Sequence, residues 1–525
     1  MIKFRKASNL LCLVLFVLFT SAKSGKTVKN QIDNPNIIFV LVDDMGIGDV
    51  GAFNPDSKIA TPHINALASS GMKFIDAHTS SAVCTPTRYG LLTGRYNWRS
   101  PLKSGVVGGD SKALIPTTRT TVAKMLKDNG YHTSFIGKWH LGWNWQHEKD
   151  STGTKTLEGV DHIDFSKPIS NGPNDLGFDY TYGLPASLDM APYVYVENGK
   201  TTEIPNKFTE SNTEYGWWRK GPTAPHFVHQ DVLPHFFEKA FDQINYEVKS
   251  TRPFFMYLAL PSPHTPMLPT QEWQGKSGLN PYADYVMEID DYIGQLEQLL
   301  KEKGIDENTL IFFTSDNGCT PDSNYPFLKS KGHDPSAGYR GHKADIFEGG
   351  HREPFIVKWP GRIKPGKTSD ITICTTDFMR TCADILNIKL KDNEAEDSFS
   401  LVPILLPETS EEYKRSYTVH HSINGSFAIR EGKWKMIFCP GSGGWSNPRP
   451  NSSAVKDLPK YQLYDLEKDF SEKHNLYGSQ IAIENHLKSL LRKCISDGRS
   501  TAGQKQNNDL PLGDKKWTQI KDIMN

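Results

Sequence analysis

The sequence predicts an α/β fold: a large mixed β-sheet flanked by helices on both faces, and a smaller C-terminal α+β subdomain built on a short antiparallel sheet. Apolar, β-branched runs alternate with helical patterns up to about residue 400. Beyond that point short strands dominate, as in SFAIREGKWKMIF and YQLYDLEKD. The chain has 525 residues, which is more than one simple core supports, so a large and a small domain are expected.

Four of the predicted strands end in polar residues. These are NIIFVLV followed by Asp43 and Asp44, HTSFIG by Lys138 and His140, FFMYLAL by a loop with His264, and TLIFFTS by Asp316 and Asn317. In open α/β sheets the ligand site lies just outside the carboxyl ends of the strands. We therefore expect these polar residues to meet at one edge of the sheet.

Helix signals separate the strands. TPHINALASSG and TTVAKMLKDNG each begin with a threonine suited to capping and end at a glycine, and ADYVMEIDDYIGQLEQLLKEKG is a longer amphipathic helix. A closing helix is expected near AIENHLKSLLRKC. Residues 144–230 show weak periodicity and many Gly, Pro, Trp and Tyr residues, which predicts long loops over the edge of the sheet.

Residues 1–24 have the pattern of a signal peptide. A basic start at Lys3, Arg5 and Lys6 precedes an apolar stretch and the small residues 20–22. The apolar stretch is shorter than the ~20 residues of a membrane-spanning helix. The sequence thus predicts an exported protein, periplasmic or secreted, without a stable membrane anchor.

Charge and cysteine content exclude several classes of protein. Lys and Arg together number 60, as do Asp and Glu, and no long run of one sign occurs, so a nucleic-acid-binding surface is not expected. Of the seven cysteines, Cys12 lies in the export segment and the others are scattered, unlike a disulfide framework. Most of them are expected to be small buried apolar residues, and Cys84 needs a separate explanation.

Two acidic strand ends suggest a metal site. Adjacent aspartates such as Asp43 and Asp44 are often solvated turn residues, but Asp316 and Asn317 end a distant strand of the same predicted sheet. The four side chains supply only oxygen ligands. This favours a hard cation, Ca²⁺ or Mg²⁺, over zinc.

A set of cationic side chains accompanies the acidic strand ends. It comprises Arg88, Lys138, His140, His264 and Lys343, near strand ends or in adjoining loops. Each has an ordinary explanation alone, although a cation at a helix start, as expected for Arg88, is disfavoured by the helix dipole. Together they would repel one another unless they face bound negative charge, so they predict an anion site.

The stretch CTPTRYGLLTG matches the C-x-P-x-R-x-x-x-L-T-G signature of the formylglycine-dependent (type I) sulfatases, and the chain resembles that family of the alkaline phosphatase superfamily. NIIFVLVDDMG, TPHINALASSGMKF, GKWHLG, SDNG and EGGHREPFIVKWPG are similar as well. The resemblance runs from about residue 35 to beyond 470. It implies an alkaline phosphatase-like catalytic sulfatase domain, placed at residues 25–400, and a C-terminal subdomain at 401–525.

The resemblance implies that Cys84 does not act as a thiol. In such enzymes a separate formylglycine-generating or sulfatase-maturating enzyme oxidises this cysteine to formylglycine (3-oxoalanine), whose aldehyde hydrates to a geminal diol. One diol oxygen would bind Ca²⁺ and attack sulfur, and the other would then expel sulfate. A serine sulfate ester, by contrast, would be a stable dead end.

The resemblance also implies roles for the polar residues. The implied shell of one calcium ion, with Mg²⁺ less favoured, is Asp43, Asp44, modified Cys84, Asp316 and Asn317. The implied catalytic residues are Arg88 and Lys138 beside the nucleophile, His140 for sulfate release, and His264 with Lys343 for sulfate binding and protonation of the leaving oxygen.

Two other functions stay open at this point. Phosphodiesterases and phosphonate monoester hydrolases of the same superfamily carry a similar nucleophile, although a single metal favours the less charged sulfate ester. Outside the enzyme class, the chain could be a sugar-binding protein with a decayed site. Measuring the release of sulfate and of phosphate would distinguish the sulfatase, the phosphoesterase and the sugar-binding protein.

The substrate prediction rests on aromatic loops. YGLPASLDMAPYVYVENG and GWWRKGPTAPHF are expected to wall a pocket for one sulfated sugar residue at a chain end. Resemblance in PASLDMAPY points to sulfatases acting on galactose or N-acetylgalactosamine 6-O-sulfate. Asp189 and His226 are expected to contact the sugar, because a carboxylate and an imidazole together can bind an axial hydroxyl.

Overall fold

A ten-stranded sheet, a four-stranded sheet and two smaller two-stranded sheets organise the part of the chain that the computed structural model describes. The described residues are Met1 and residues 34–147, 160, 162–408, 412–509 and 515–524. In chain order the strands are β1 (Asn36–Asp43), β2 (Met72–Phe74), β3 (Ala77–His78), β4 (His132–Lys138), β5 (Tyr180–Leu184), β6 (Val196–Glu197), β7 (Lys200–Thr201), β8 (Lys207–Asn212), β9 (Trp217–Thr223), β10 (Phe254–Pro263), β11 (Thr309–Ser315), β12 (Phe355–Lys358), β13 (Lys367–Ser369), β14 (Ile373–Cys374), β15 (Tyr417–His421), β16 (Phe427–Glu431), β17 (Trp434–Ile437) and β18 (Gln462–Asp465).

Helices connect and cover the strands. They are α1 (Pro62–Ser70), α2 (Cys84–Thr93), α3 (Val122–Asp128), α4 (Val232–Glu247), α5 (Pro281–Glu302), α6 (Tyr325–Ser330), α7 (Glu348–His351), α8 (Phe378–Ile385), α9 (Val402–Leu405), α10 (Ile481–Asp497) and α11 (Lys521–Met524). Among the described residues, none of these helices has both the length and the apolar character needed to cross a bilayer. The predicted signal peptide lies outside the described residues except for Met1, and it stays a prediction.

The large sheet has ten strands in the order β13-β2-β12-β11-β1-β10-β4-β5-β6-β7. Its centre, β11-β1-β10-β4, is parallel, and β12 and β6 run antiparallel to their inner neighbours. Strands β1 and β10 are buried almost throughout, as their continuous apolar runs predict for a sheet covered on both faces. The predicted mixed α/β class is confirmed.

Aromatic packing joins the sheet to its helices. The Phe39 ring on β1 stacks on Phe312 of β11 with centroids 5.7 Å apart. Phe378 of α8 packs edge-on against Phe39 at 4.6 Å and against Phe312 at 5.0 Å. This cluster holds the central strands in place beneath the strand ends that carry polar residues.

The four predicted helices form as α1, α3, α5 and α10, and their ends differ in detail. The Thr121 hydroxyl accepts a hydrogen bond from the Lys124 amide at 3.1 Å, which caps α3 as expected. Thr61 stands at the same position before α1 but makes no side-chain cap. Asn280 caps α5 by accepting from the Ala283 amide, and Pro281 follows at the first helical position.

The prediction of long loops over residues 144–230 is wrong in part. This segment contributes β5, β6 and β7 to the large sheet and forms a separate hairpin of β8 and β9. Strand β8 reads KFTESN and lacks a buried apolar face, and β9 contains Gly221 and Pro222. Pairing across the hairpin, rather than a local hydrophobic pattern, stabilises these strands.

The C-terminal region contains the expected antiparallel sheet, in the order β15-β16-β17-β18. Leu487 and Leu491 of α10 share a core with Ile429 and Met436 of this sheet, and Trp98 from the first part of the chain joins the same core. Residues Asn34–Asn525 form one compact unit. The boundary between residues 400 and 401 stays a prediction.

Candidate active site

The central strands bring the predicted catalytic and metal-binding residues to one buried edge of the sheet. Strand β1 ends at Asp43, β4 at Lys138 and β11 immediately before Asp316, and His264 follows β10. All ten residues of the set are buried: Asp43, Asp44, Cys84, Arg88, Lys138, His140, His264, Asp316, Asn317 and Lys343.

Cys84 is the first residue of α2 and is 3% exposed. Helix α2 is buried along its whole length and ends at Gly94, whose φ of 62° lies in the left-handed region that glycine tolerates. Burial raises the pKa of the Cys84 thiol to about 11, although Lys138 and Lys343 oppose the shift. The unmodified thiol is therefore protonated at neutral pH and a poor nucleophile.

Arg88 lies one helical turn after Cys84 and ties three elements together. Its Nε and Nη2 atoms donate to Oδ2 of Asp316 at 3.0 and 2.7 Å, and Nη1 donates to the Lys138 carbonyl at 2.9 Å. Burial disfavours the guanidinium charge, but Asp316 together with Asp43 and other neighbouring groups outweighs burial and raises the pKa of Arg88. The cation at the helix start is thus explained by a buried carboxylate.

Two lysines each pair with one of the adjacent aspartates. The Lys138 ammonium contacts the Asp43 carboxylate, and Lys343 Nζ donates to Asp44 Oδ2 at 2.8 Å. Asp44 has a φ of 71°, an uncommon conformation for a residue other than glycine. Such backbone conformations cluster at functional sites.

Ser187 is a polar residue of the site that sequence reasoning missed. Its Oγ lies 3.1 Å from Lys138 Nζ and 3.2 Å from His264 Nε2. The hydroxyl therefore lies between a lysine and a histidine that belong to different strand ends. Ser187 lies within PASLDMAPY, from which sequence reasoning selected Asp189 alone, so only the tertiary contacts identify its hydroxyl as part of the site.

His140 is held as a neutral imidazole. Its Nε2 lies 2.8 Å from the Val107 carbonyl, which can only accept, so Nε2 carries the proton. Burial, together with Lys138 and Arg88, lowers the pKa of His140 well below its ordinary value. Among the described residues Nδ1 has no hydrogen-bond partner, so its lone pair is available as a base.

The structure does not bring Asp189 and His226 together. Asp189 is buried, and its carboxylate pairs with Arg219 of β9. The His226 side chain is 86% exposed, and its Nδ1 contacts Glu203 at 2.6 Å. No hydrogen bond or ion pair joins Asp189 to His226 within the described residues, so Arg219 is the partner that sequence reasoning missed.

The acidic strand ends fit a hard cation. Asp43, Cys84 and Asp316 each offer a ligand atom within 4.8 Å of the others. Oδ1 of Asp43 and Oδ1 of Asn317 are buried acceptors without a hydrogen-bond partner among the described residues, as expected of oxygens that bind a cation. Burial and the nearby Asp43 charge raise the pKa of Asp316 to about 7. A cation would offset this repulsion between carboxylates.

A second group of possible ligands comprises His78 of β3, His351 of α7 and His420 of β15. Their nitrogens already have partners. The contacts are His78 Nδ1 to His351 Nδ1 at 3.0 Å, His78 Nε2 to Asp76 at 2.9 Å, His351 Nε2 to Lys435 at 3.1 Å, and His420 to the Thr79 carbonyl at 3.0 Å and Thr418 Oγ1 at 2.9 Å. We interpret this group as a structural hydrogen-bond cluster because each of these nitrogens already has a hydrogen-bond partner, and one of the partners is the Lys435 ammonium.

Comparisons with known proteins agree with this arrangement. The family model described as Sulfatase matches residues 35–388, and the model described as N-sulphoglucosamine sulphohydrolase, C-terminal, matches residues 341–497. The chain is 33% identical to N-acetylgalactosamine-6-O-sulfatase of Bacteroides thetaiotaomicron over 93% of its own length and 99% of that protein. It is 32% identical to human arylsulfatase A over 85% of its own length and 83% of that protein.

A solved structure is also similar. It comes from work on the metabolism of multiple glycosaminoglycans by Bacteroides thetaiotaomicron, has a TM-score of 0.75 and 31% identity, and the match covers 88% of this chain and 99% of that one. The sequence matches and the fold point to the same chemistry. The chain therefore belongs to the sulfatase family and is a sulfuric ester hydrolase.

Proposed function

We propose that this enzyme is an exported carbohydrate sulfatase that removes a 6-O-sulfate from galactose or N-acetylgalactosamine at the end of a saccharide chain. The observation that carries the proposal is the buried site around Cys84, where three carboxylates pair with Arg88, Lys138 and Lys343. Such a site has both oxygen ligands for a cation and positive charge for a sulfate. The export step rests on residues 1–24 of the sequence.

The nucleophile is proposed to derive from Cys84. Formylglycine, made at this position by a separate maturation enzyme, would supply a hydrated aldehyde, and Ca²⁺ would lower the proton affinity of its hydroxyl groups. The raised pKa of the unmodified thiol supports this assignment, since the thiol itself would be a poor nucleophile.

We assign the calcium ion, with Mg²⁺ the less favoured choice, to the oxygen atoms of the acidic strand ends and to residue 84. The protein ligands are proposed to be Asp43, Asp44, Asp316 and Asn317. Arg88 would hold the Asp316 carboxylate in place through its two hydrogen bonds to Oδ2. The all-oxygen set of strand-end ligands suits the irregular coordination of Ca²⁺.

The remaining basic side chains are proposed to act on the sulfate. Lys138 and Lys343 would stabilise negative charge on its oxygens, and His264 would donate a proton to the leaving sugar oxygen. His140, neutral and with a free Nδ1 lone pair, would accept a proton when sulfate is released. Ser187 would keep Lys138 and His264 at a fixed separation.

The sugar assignment rests on Asp189 and on the named relative. Asp189 Oδ1 is buried, has no hydrogen-bond partner in the described part of the chain, and lies 4.0 Å from His264 Nδ1. A sugar hydroxyl beside the scissile sulfate would satisfy this oxygen, and Arg219 would orient the carboxylate. The Bacteroides relative named N-acetylgalactosamine-6-O-sulfatase supports a galacto-configured substrate.

A panel of monosulfated sugars tests the proposal. Matured wild-type enzyme should release sulfate from galacto-configured 6-sulfates faster than from the gluco-configured 6-sulfates, and release little phosphate from matched phosphate esters. Asp189→Ala should lower kcat/KM by about 100-fold or more because it leaves a polar contact unpaired. His226→Ala tests the second predicted contact, and its exposure leads us to expect a change below about threefold. A preference for gluco-configured sugars would refute the sugar assignment, and faster phosphate release would refute the sulfatase assignment.

A further inference from the structure

We propose that Thr85 is a positioning residue for His140, acting through a closed ring of hydrogen bonds with Val107. The inference rests on the proposed function in one respect, namely the role of His140 as a base. It concerns the residue that directly follows Cys84 in the chain. The signature motif leaves this position unspecified, so the motif assigns it no role.

Three hydrogen bonds form the ring. The Val107 amide donates to Thr85 Oγ1 at 3.3 Å, and Thr85 Oγ1 donates to the His140 carbonyl at 2.8 Å. His140 Nε2 then donates to the Val107 carbonyl at 2.8 Å. Each direction is determined by chemistry, because an amide N–H can only donate, a carbonyl can only accept, and the hydroxyl has one proton.

The ring determines which nitrogen of His140 is a base. A neutral imidazole has one protonated nitrogen, and the Val107 carbonyl selects Nε2 for the proton. Nδ1 is left with its lone pair, buried and without a hydrogen-bond partner among the described residues. An unsatisfied buried acceptor is costly, so contacts elsewhere must stabilise this orientation.

Thr85 also holds the backbone of His140. His140 has a φ of 54°, in the left-handed region that residues other than glycine rarely adopt. The Thr85 hydroxyl binds the carbonyl of this strained residue, and both residues are fully buried. Because Thr85 is bonded covalently to Cys84, the same contact links the position of the base to the position of the nucleophile.

Thr87 provides a matched control within the same helix. Its hydroxyl is also buried and also donates to a backbone carbonyl, that of Ser81, at 2.9 Å. Within the described residues, Thr87 makes no hydrogen bond to Thr85, Val107 or His140. Replacement of either threonine by valine therefore removes one buried hydroxyl of α2, and only the Thr85 change opens the ring.

The test compares Thr85→Val, Thr85→Ala, Thr85→Ser and Thr87→Val, with 4-nitrophenyl sulfate as the substrate. Rates are divided by the fraction of Cys84 found as formylglycine by mass spectrometry, and melting temperatures report on folding. Thr85→Val and Thr85→Ala should lower kcat by about 100-fold with little change in KM, because misplacing a catalytic group by about 1 Å costs that much. Thr85→Ser and Thr87→Val should stay within about threefold of wild type.

A double-mutant cycle separates positioning from simple destabilisation. In a His140→Ala background, Thr85→Ala should change kcat by less than about twofold, because the residue that it positions is already absent. Additive losses in that background, or normal kcat in both Thr85→Val and Thr85→Ala, would overturn the inference. If wild type that contains formylglycine released no sulfate, the proposed function itself would be refuted. Failure of the inference and failure of the proposed function are therefore distinguishable.

Discussion

The guanidinium of Arg88 makes two hydrogen bonds to a single oxygen, Oδ2 of Asp316, at 3.0 and 2.7 Å. The pair is buried and joins the helix that begins with Cys84 to the end of β11. The proposed nucleophile and a proposed metal ligand, from distant parts of the chain, are thus held by one ion pair. Its geometry requires a planar, two-donor cation.

Arg88→Lys should therefore lower kcat/KM by about 100-fold or more and weaken Ca²⁺ binding, since lysine keeps the charge but cannot make both bonds. Arg95→Lys is a suitable control, because Arg95 is also a buried arginine paired with carboxylates, those of Glu396 and Asp509. The control should lose stability but keep kcat/KM within about threefold. Equal activity losses in the two variants would show that Arg88 matters only for folding.

Metal removal should abolish activity. A Ca²⁺ chelator should stop sulfate release, and added Ca²⁺ should restore it more fully than Mg²⁺. Elemental analysis should find about one Ca²⁺ per chain in wild type and in His351→Gln, and much less in Asp316→Ala. If wild type contained zinc and His351→Gln did not, the histidine cluster would be a metal site. That result would contradict the interpretation of the cluster as structural.

The same histidine cluster predicts loss of stability in acid. Burial lowers the pKa of His78, His351 and His420 below the ordinary value of 6.5. As pH falls through 6.5, the unfolded chain takes up protons that the folded chain does not, so stability present above this pH is lost below it. Each neutral histidine contributes a slope of about 1.4 kcal/mol per pH unit.

Urea unfolding between about pH 7.5 and about pH 5 measures this slope. His351→Gln should reduce this slope by the contribution of one histidine, about 1.4 kcal/mol per pH unit. The reduction is expected whatever effect the substitution has on stability at neutral pH. Equal slopes in wild type and His351→Gln would contradict a buried neutral His351, because buried carboxyl groups with a raised pKa, such as Asp316, oppose the histidine slope equally in both proteins.

Phe378→Ala should lower the free energy of unfolding by about 3–5 kcal/mol, because it leaves a cavity against Phe39 and Phe312. Phe208, which is 60% exposed, offers a matched control. Phe208→Ala should cost less than about 0.5 kcal/mol. Similar midpoints of urea unfolding for the two variants would be inconsistent with α8 anchoring the sheet.

The sequence predicts the centre of this protein better than its periphery. Strands β1, β4, β10 and β11 are buried, so their apolar runs and polar ends are visible in the chain, and the motif around Cys84 identifies the chemistry. Strand β8 is polar and was predicted as loop. Its partner β9 carries Arg219, and only the pairing of the two strands brings that residue to Asp189.

Loop contacts explain the remaining differences in the site. Ser187 and Val107 contact the proposed catalytic residues through loops whose paths depend on the rest of the fold. His226 and Arg219 are close in sequence, yet one is exposed and the other pairs with Asp189. Residue type alone could not distinguish them.

The most direct test of the central claim combines mass spectrometry of the Cys84 peptide with sulfate release from 6-sulfated N-acetylgalactosamine. Preparations made with graded amounts of maturation enzyme should contain graded fractions of formylglycine. We expect the rate of sulfate release to rise in proportion to that fraction and to vanish in Cys84→Ala. Full activity in protein that contains only unmodified Cys84 would contradict the account.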